Sequence, residues 1–343
     1  MPKKTSTKTK AIDLALQGGG AHGAFTWGVL DRLYQDERIE IEAISGTSAG
    51  AMNAVVAADG MMKNGREGAR KALRTFWKAV SVAALPSLYK RTLYDVFTGN
   101  WNLDHSPGYL FSDLVGRIAS PYELNPFNFN PLKAFLTDNI NFERVRGCNK
   151  MKLFIAATCV QTGKVRIFER SELTPDVVMA SACLPTLYKA VSIDGRDYWD
   201  GGYSGNPPLY PFAYRCRSAD VVIVQINPMM REDTPDTARE ILNRVNEITF
   251  NANLLHELRA IDFVARMLDE GSLDPNRYKK IRIHAIEAEK GFKDLNASSK
   301  LNAEWDFLLH LHSIGQQVAD DWLANTYTAI GKRSTLDLQA LLH

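Results

Sequence analysis

Apolar residues follow two kinds of pattern over the first part of the chain. Short, mostly apolar runs at residues 11–17 (AIDLALQ) and 39–45 (IEIEAIS) are typical of buried strands. The segment between them, AFTWGVLDRLYQ, has apolar residues at helical spacing, and the small residues after Ser48 suit a second helix. This alternation of strand and helix predicts an α/β fold with a parallel sheet and right-handed connections.

The pattern changes in the middle of the chain and again after residue 230. Residues 76–150 combine many aromatic residues, prolines and asparagines with weak periodicity, which predicts short helices packed over the sheet as a cap. Later apolar runs predict strands at residues 152–158, 165–168, 191–202, 221–226 and 281–286, with a hairpin turn at Thr162-Gly163 between the first two. Helices are predicted for the C-terminal region, one beginning at Thr234-Pro235 and a long one at residues 303–327.

Composition and charge narrow the class of protein. The 343 residues carry a net charge of +2, which argues against a dedicated nucleic-acid-binding protein. Residues 1–10 are basic and polar, and neither a signal-peptide core nor a run of about 18 apolar residues follows, so we expect a disordered tail. Such a tail has the charge to contact an anionic lipid surface. The cysteines lack CxxC spacing and are interpreted as reduced thiols of a cytoplasmic protein: Cys148, Cys159, Cys183 and Cys216.

A serine stands between two glycines where the second strand ends. The stretch Gly46-Thr47-Ser48-Ala49-Gly50 fits the G-x-S-x-G pattern of a nucleophile. A nucleophile at the tip of a sharp strand-to-helix turn needs neighbours without bulk, and the N-terminus of the following helix favours negative charge at the hydroxyl. The other interpretation is a serine that only caps a helix. Ser45 is a rival hydroxyl, but it lies at the strand end without paired glycines.

Glycines also follow the first strand, in the stretch Gly18-Gly19-Gly20-Ala21-His22-Gly23. Consecutive glycines expose backbone N–H groups, and such a loop binds a phosphate or the oxyanion of an acyl-transfer intermediate. The same stretch matches the G-x-G-x-x-G fingerprint of dinucleotide-binding oxidoreductases. That fingerprint requires an acidic residue at the end of the second strand, whereas Glu40 and Glu42 fall at its start.

A serine nucleophile needs a group that takes its proton. None of the seven histidines lies in a strand-to-loop context typical of a catalytic triad. Asp200 follows a predicted strand and precedes Gly201 and Gly202, so its side chain is free to project toward a sheet edge. Taken alone, an Asp-Gly-Gly sequence is more typical of a β-turn. No group of residues indicates a metal site or a calcium loop.

Together these motifs resemble those of the patatin-like phospholipase family. The resemblance covers about residues 10–230 and rests on the Gly18–Gly23 loop, the Gly46–Gly50 turn, Asp200-Gly201-Gly202 and the run Ser181-Ala182-Cys183-Leu184-Pro185. It implies a three-layer α/β sandwich around a mostly parallel sheet. The implied division is a catalytic domain at residues 11–230, with the cap at 76–150, and a mostly helical C-terminal region at 231–343 packed on it.

The resemblance also implies a chemistry. Ser48 would be the nucleophile, Asp200 would take its proton directly without a histidine, and backbone N–H groups of Gly18, Gly19 and Gly20 would form the oxyanion hole. The residues that support the turn and the loops would be Gly46, Gly50, His22, Gly23, Gly201 and Gly202. The implied reaction is hydrolysis of a phospholipid or lysophospholipid acyl ester through an acyl-serine intermediate, with no cofactor. It requires Asp200 to be shielded from water, because an aspartate with the ordinary pKa of about 3.9 is a poor base at pH 7.

Two further expectations accompany this assignment. The family commonly has arginine or lysine at the place of His22, so here we expect a pH-dependent contributor or a surface-exposed side chain. The aromatic residues of the cap are expected either to serve ordinary packing or to line an acyl channel and contact a membrane surface. A protein that binds lipid on this fold without catalysis is the alternative function, ahead of the oxidoreductase.

Overall fold

A mixed β-sheet forms the centre of the protein. The computed structural model describes residues 9–116, 118–128, 130–231, 233–288 and 291–342. Within them the sheet has eight strands in the order β5-β6-β3-β2-β1-β7-β8, and β4 pairs with β3. The strands are β1 Lys10–Leu16, β2 Ile39–Gly46, β3 Lys152–Cys159, β4 Val165–Glu169, β5 Val191–Ile193, β6 Arg196–Asp200, β7 Asp220–Gln225 and β8 Arg282–Glu287.

The central strands are parallel and the strands at one edge are antiparallel. The pairs β3–β2, β2–β1, β1–β7 and β7–β8 are parallel. The pairs β3–β4, β3–β6 and β5–β6 are antiparallel. All six residues of β7 are buried, as expected for a parallel strand covered on both faces. The predicted strands are confirmed with boundaries shifted by one residue or so, except that the run at 191–202 is divided into β5 and β6 by a turn at Asp194-Gly195.

Helices cover both faces of the sheet, which confirms the predicted three-layer α/β arrangement. α1, α2 and α11 pack with β1 and β2 in one apolar core, and α9, α10 and α12 form the other. The helix bounds are α1 Gly23–Gln35, α2 Ala49–Ala83, α3 Leu93–Thr98, α4 Pro107–Gly116, α5 Pro121–Leu124, α6 Pro131–Asn139, α7 Phe142–Arg146, α8 Pro175–Ser181, α9 Tyr210–Arg215, α10 Ala238–Asp269, α11 Trp305–Thr326 and α12 Leu338–Leu342.

The cap consists of the short helices α3 to α7, as predicted, but it begins later than expected. Residues 76–83 belong to the end of α2, which is interrupted by non-helical backbone at Asn64 and Gly65 and then continues. Many apolar side chains of the cap face solvent, and α4 has no buried residue at all. Exposed apolar surface of this extent is typical of a binding surface.

The C-terminal region is built into the sheet and its helical layers. β8 extends the sheet by pairing with β7, and α11 crosses α1 closely enough for Gly315 to lie against the carbonyl of Phe25. The predicted helix start at Thr234 is wrong, because α10 is capped by Thr237. The Thr237 side chain accepts from the N–H of Glu240, and the Glu240 carboxylate accepts from the N–H of Thr237. This reciprocal capping box satisfies two backbone donors, which a start at Thr234 does not.

The predicted basic tail needs one correction. Residues 1–8 lie outside the described residues, but Lys10 already begins β1, and its Nζ donates to the carbonyl of Ile330 at 2.9 Å. Within the described ranges, the helices are all too short or too polar to cross a membrane. The four cysteines are free and buried.

Candidate active site

Ser48 occupies a strained turn between β2 and α2. β2 ends at Gly46 and α2 begins at Ala49, so Thr47 and Ser48 alone connect the strand to the helix. Ser48 has φ 55° and ψ −121°, a backbone conformation that a residue with a side chain rarely adopts and that is typical of a nucleophile elbow. Its N–H donates to Oγ of Ser181 at 2.9 Å, which fixes the turn.

Small residues around the turn are required by close backbone contacts. A Cβ on Gly46 would lie 2.7 Å from the carbonyl oxygen of Gly50, and a Cβ on Gly50 would lie 2.3 Å from that of Leu16. Gly23, at the start of α1, leaves room for the Cβ of Ala49, which would be 2.6 Å away. The glycines of the G-x-S-x-G pattern therefore let β1, β2 and α2 meet behind the serine.

The glycine-rich loop lies directly beside Ser48 because β1 and β2 are parallel neighbours. A Cβ on Gly18 would be 2.7 Å from the Cβ of Ser48. The N–H of Gly18 donates to Oδ1 of Asn206 at 2.7 Å, and its carbonyl accepts from Nδ2 of Asn227 at 2.9 Å. The Gly18 amide is thus already engaged in the described structure, so Gly19 and Gly20 remain as candidate oxyanion donors from the predicted set.

Asp200 lies at the end of β6 and faces the same site. Its N–H donates to the carbonyl of Cys183 at 2.8 Å, and its carbonyl accepts from Oγ1 of Thr158 at 2.8 Å, so the backbone is held on both sides. Its Oδ1 accepts from the N–H of Gly202 at 2.7 Å, and the Ser48 hydroxyl is among the groups that lower the pKa of this carboxylate. The structure therefore brings the two predicted catalytic side chains together with no histidine between them.

Burial changes the acidity of Asp200 in the direction that a general base requires. The residue is 1% exposed, and burial raises its pKa from 3.8 to about 7. Hydrogen bonds from Gly202 and Ser48 and the positive charge of Lys300 act against this rise. A carboxylate with a pKa near the working pH accepts a proton far better than an ordinary aspartate. The shielding that the sequence required of Asp200 is thus present.

The turn after Asp200 also depends on small residues. A Cβ on Gly201 would lie 2.4 Å from the carbonyl oxygen of Ala156, and one on Gly202 would lie 2.0 Å from the ring of Phe250 on α10. Helix α10 therefore packs against the back of the catalytic aspartate turn. This places a helix of the C-terminal region in contact with the site.

His22 is buried, so the expectation of a surface-exposed side chain was wrong. It is 3% exposed, its Nε2 is 2.8 Å from Oγ of Ser299, and its ring packs edge-on against Phe292. Burial, together with the charge of Lys300, holds the pKa of His22 well below its usual value. The imidazole is therefore neutral at physiological pH and supports the loop by packing.

Several residues of the site carry weak signals or none in the sequence. Ser181 belongs to the run of small residues that ends at Pro185. Asn206 and Asn227 lie in the segments that follow β6 and β7. Lys300, whose Nζ donates to Oδ1 of Asn227 at 2.7 Å, comes from a segment without a motif. The acidic residues required by the dinucleotide alternative are placed elsewhere, since Glu42 accepts from Lys152, Arg217 and Ser218.

Comparisons with known proteins found a matching family model and similar solved structures. The family model described as patatin-like phospholipase matches residues 14–213. Among solved structures, the chain is similar to the crystal structure of VipD from Legionella pneumophila, with 15% identity, a TM-score of 0.40, and coverage of 92% of this chain and 67% of that one. No curated protein sequence matches the chain.

Proposed function

Because this chain belongs to the patatin-like phospholipase family, whose members are lipid acyl hydrolases, we propose that it hydrolyses phospholipid or lysophospholipid acyl esters with Ser48 and Asp200 as its catalytic dyad. The observation that carries the proposal is the strained strand-to-helix turn at Ser48, together with the buried Asp200 carboxylate, whose pKa the Ser48 hydroxyl helps to lower. A serine that only capped α2 would not need this backbone strain or a buried carboxylate partner.

Acylation begins when Oγ of Ser48 attacks the ester carbonyl carbon and Asp200 takes the hydroxyl proton. The carbonyl oxygen becomes an oxyanion that receives hydrogen bonds from the N–H groups of Gly19 and Gly20. The N-terminus of α2, which starts at Ala49, adds a favourable field at the same place. When the tetrahedral intermediate collapses, the bond to the alcohol oxygen breaks, and that oxygen leaves with the proton from Asp200.

Deacylation repeats the same steps with water as the nucleophile. Asp200 takes a proton from water as the water oxygen bonds to the acyl carbon of acyl-Ser48. Collapse of the second intermediate breaks the bond to Oγ of Ser48, which regains its proton from Asp200. A fatty acid is released, and the dyad returns to its starting state.

The cap supports a lipid as the substrate class. Leu93, Phe97 and Phe127 are each close to 90% exposed, and such side chains suit contact with a lipid surface. The cap also reaches the segment beside the site. Tyr122 of α5 accepts from the N–H of Ala190 at 3.2 Å, and the carbonyl of Cys183, in the same segment, accepts from the Asp200 N–H. We therefore propose that the protein acts at a membrane surface, in peripheral contact.

The decisive experiment compares wild-type protein with Ser48→Ala and Asp200→Asn. Hydrolysis of p-nitrophenyl acyl esters and phospholipid micelles is measured, and a fluorophosphonate probe is used with mass spectrometry to locate the labelled serine. We expect Ser48→Ala to lose at least about a thousandfold in kcat/KM and all labelling. Asp200→Asn should lose about a hundredfold or more, since a general base contributes 10²–10⁴.

Two matched variants control for loss of structure. Ser45→Ala removes the rival hydroxyl, which donates to the carbonyl of Pro208, and Asp197→Asn removes an aspartate of the same strand. Both are expected to keep most of the activity, with the fold checked by circular dichroism. Full activity in Ser48→Ala, or labelling lost in Ser45→Ala, would assign the nucleophile elsewhere. A folded wild-type protein that is inactive and unlabelled would favour the non-catalytic lipid-binding alternative.

A further inference from the structure

The segment around Lys300 packs directly on the glycine-rich loop. Its 3-10 turn, Ser298–Leu301, lies outside the residues matched by the family model. A Cβ on Gly20 would be 2.4 Å from the carbonyl oxygen of Lys300, and Oγ of Ser299 bonds to His22. Two consecutive residues of this turn therefore touch the loop that lies beside the nucleophile.

The Lys300 ammonium is connected to the same loop through Asn227. Nζ of Lys300 donates to Oδ1 of Asn227 at 2.7 Å, and Nδ2 of Asn227 donates to the carbonyl of Gly18 at 2.9 Å. Gln17 holds the Asn227 backbone in place, since its Oε1 accepts from that N–H at 2.9 Å. A cation at the end of this chain polarises both hydrogen bonds and strengthens the hold on Gly18.

Lys300 also acts on the general base through its charge. Its positive charge stabilises the carboxylate of Asp200, and it disfavours a second cation at His22. Because His22 is buried and neutral, the glycine-rich loop of this chain brings no charge of its own to the site. The charge comes instead from a lysine about 280 residues further along the chain.

We infer that Lys300 is a positioning residue of the acyl-transfer site, which fixes the Gly18 end of the glycine-rich loop through Asn227 and supplies a positive charge that acts on Asp200. The inference rests on the proposed function, and it adds a residue that the catalytic motifs do not contain. It also gives the C-terminal segment a part in the chemistry, in addition to its part in the fold.

The charges around the two groups set the pH range in which this arrangement holds. Asp200 faces the Ser48 hydroxyl, the Gly202 N–H and Lys300, and it raises the pKa of the neighbouring Cys183 and Tyr203. Lys300 faces Asp200, His22, Glu247 and Arg231, and Glu247 is paired with Arg231 at 2.6 Å and with Arg244 at 3.1 Å.

These surroundings predict a bell-shaped pH profile of kcat/KM. Burial lowers the pKa of Lys300 to about 8, and the pKa of Asp200 is about 7. Activity therefore rises as Asp200 loses its proton near pH 7 and falls as Lys300 loses its proton near pH 8. The two apparent values belong to the coupled pair, so removal of one charge moves the other limb.

The test compares Lys300→Met, Lys300→Arg and Lys293→Met, where Lys293 is an exposed lysine of the same region. In Lys300→Met the alkaline limb should vanish, and the acid limb should move upward by roughly 1 pH unit, because an opposite charge has been removed from Asp200. In Lys300→Arg the acid limb should stay near 7, and the alkaline limb should move out of range, since arginine does not titrate below pH 12. Lys293→Met should reproduce the wild-type profile.

A second readout does not depend on turnover. Aspartate labelled with ¹³C at the carboxyl carbon is titrated by NMR, and the Asp200 signal is assigned by its loss in Asp200→Asn. The pKa of Asp200 should rise in Lys300→Met and stay unchanged in Lys293→Met. Equal Asp200 titration in wild type and Lys300→Met, or an alkaline limb that persists in Lys300→Arg, would overturn the inference. A chain without esterase activity whose Asp200 still responds to Lys300→Met would instead contradict only the proposed function.

Discussion

Two buried aspartates have the same perturbed acidity but different surroundings. Burial raises the pKa of both Asp200 and Asp13 from 3.8 to about 7. Asp200 accepts from the N–H of Gly202, and the Ser48 hydroxyl also lowers its pKa, so its protonation is coupled to the candidate nucleophile. Asp13 lies inside the sheet on β1, fully buried, where the charge of Glu42 adds to the effect of burial. A raised pKa alone therefore does not distinguish a candidate general base from a buried structural aspartate. The groups that surround each carboxylate make this distinction.

Asp13 predicts a pH dependence of stability. Its pKa is higher in the folded state than in the unfolded state, so between about pH 4 and pH 7 the folded protein holds a proton that the unfolded chain has released. The free energy of unfolding must then fall as the pH rises through this window. We expect the fall between pH 5 and pH 8, measured by urea denaturation, to be smaller in Asp13→Asn than in wild type by on the order of 3 kcal/mol.

The comparison between wild type and Asp13→Asn isolates the contribution of Asp13 to the pH dependence of stability. Asp200 titrates over the same range in both proteins, so its contribution cancels in the difference. Asparagine keeps the shape of the side chain but does not ionise. Parallel stability curves of the two proteins from pH 5 to pH 8 would show that Asp13 is not the group responsible.

At the scale of elements, the closest contact between two helices depends on a pair of glycines. A Cβ on Gly28 of α1 would lie 2.0 Å from the carbonyl oxygen of His312, and one on Gly315 of α11 would lie 2.1 Å from that of Phe25. Either alanine variant must therefore push α1 and α11 apart. We expect Gly28→Ala and Gly315→Ala each to lower the free energy of unfolding by about 1–3 kcal/mol, measured by urea denaturation.

Gly116 of α4 provides the matched control for these substitutions. It is helical as well, but a Cβ there would meet nothing within 4 Å. Gly116→Ala should leave the stability unchanged or raise it slightly, because alanine favours helix over glycine. If Gly28→Ala and Gly315→Ala behaved like Gly116→Ala, the two helices would not be in the close contact described.

The sequence predicted elements well where one local pattern dominates. β3 and β7 are buried almost throughout because both faces of the sheet are covered, so their apolar runs locate them in the sequence. The start of α10 was misplaced because Thr234-Pro235 and Thr237 are both acceptable local signals, and the hydrogen bonds with Glu240 select the second. The start of the cap was misplaced because the aromatic residues at 76 and 77 are buried packing residues of α2.

The site was predictable only as far as its motifs extend. Ser48, Asp200 and the glycines follow strand ends at fixed spacings, so chain order and sheet geometry bring them together. The neutral state of His22 depends on Phe292 and Ser299, and the charge beside Asp200 depends on Lys300. These contacts join positions more than 90 residues apart without a local pattern, and only tertiary packing creates them.

At the scale of the whole molecule, the C-terminal region packs directly on the elements that carry the candidate site. β8 lengthens the sheet beside β7, α11 covers α1, and the turn at Lys300 rests on the glycine-rich loop. The catalytic motifs all lie before residue 203, yet their positions depend on residues after 225. The packing of the C-terminal region therefore helps to shape the candidate active site.

The same molecule presents its apolar surface on the cap, which predicts how it meets its substrate. Phe97 and Phe127 are 95% and 93% exposed, and each can contribute about 1.5–3 kcal/mol when its ring is buried in an apolar phase. We expect the double variant with Phe97→Ser and Phe127→Ser to bind phospholipid vesicles at least about tenfold more weakly in a sedimentation assay, because both rings lose this contribution. Hydrolysis of a soluble p-nitrophenyl ester should be unchanged, since neither ring touches the dyad.

Phe263→Ser, at an exposed phenylalanine of α10, is the control and should bind as wild type does. Equal vesicle binding by wild type and the double variant would show that the cap is not the surface that meets the membrane.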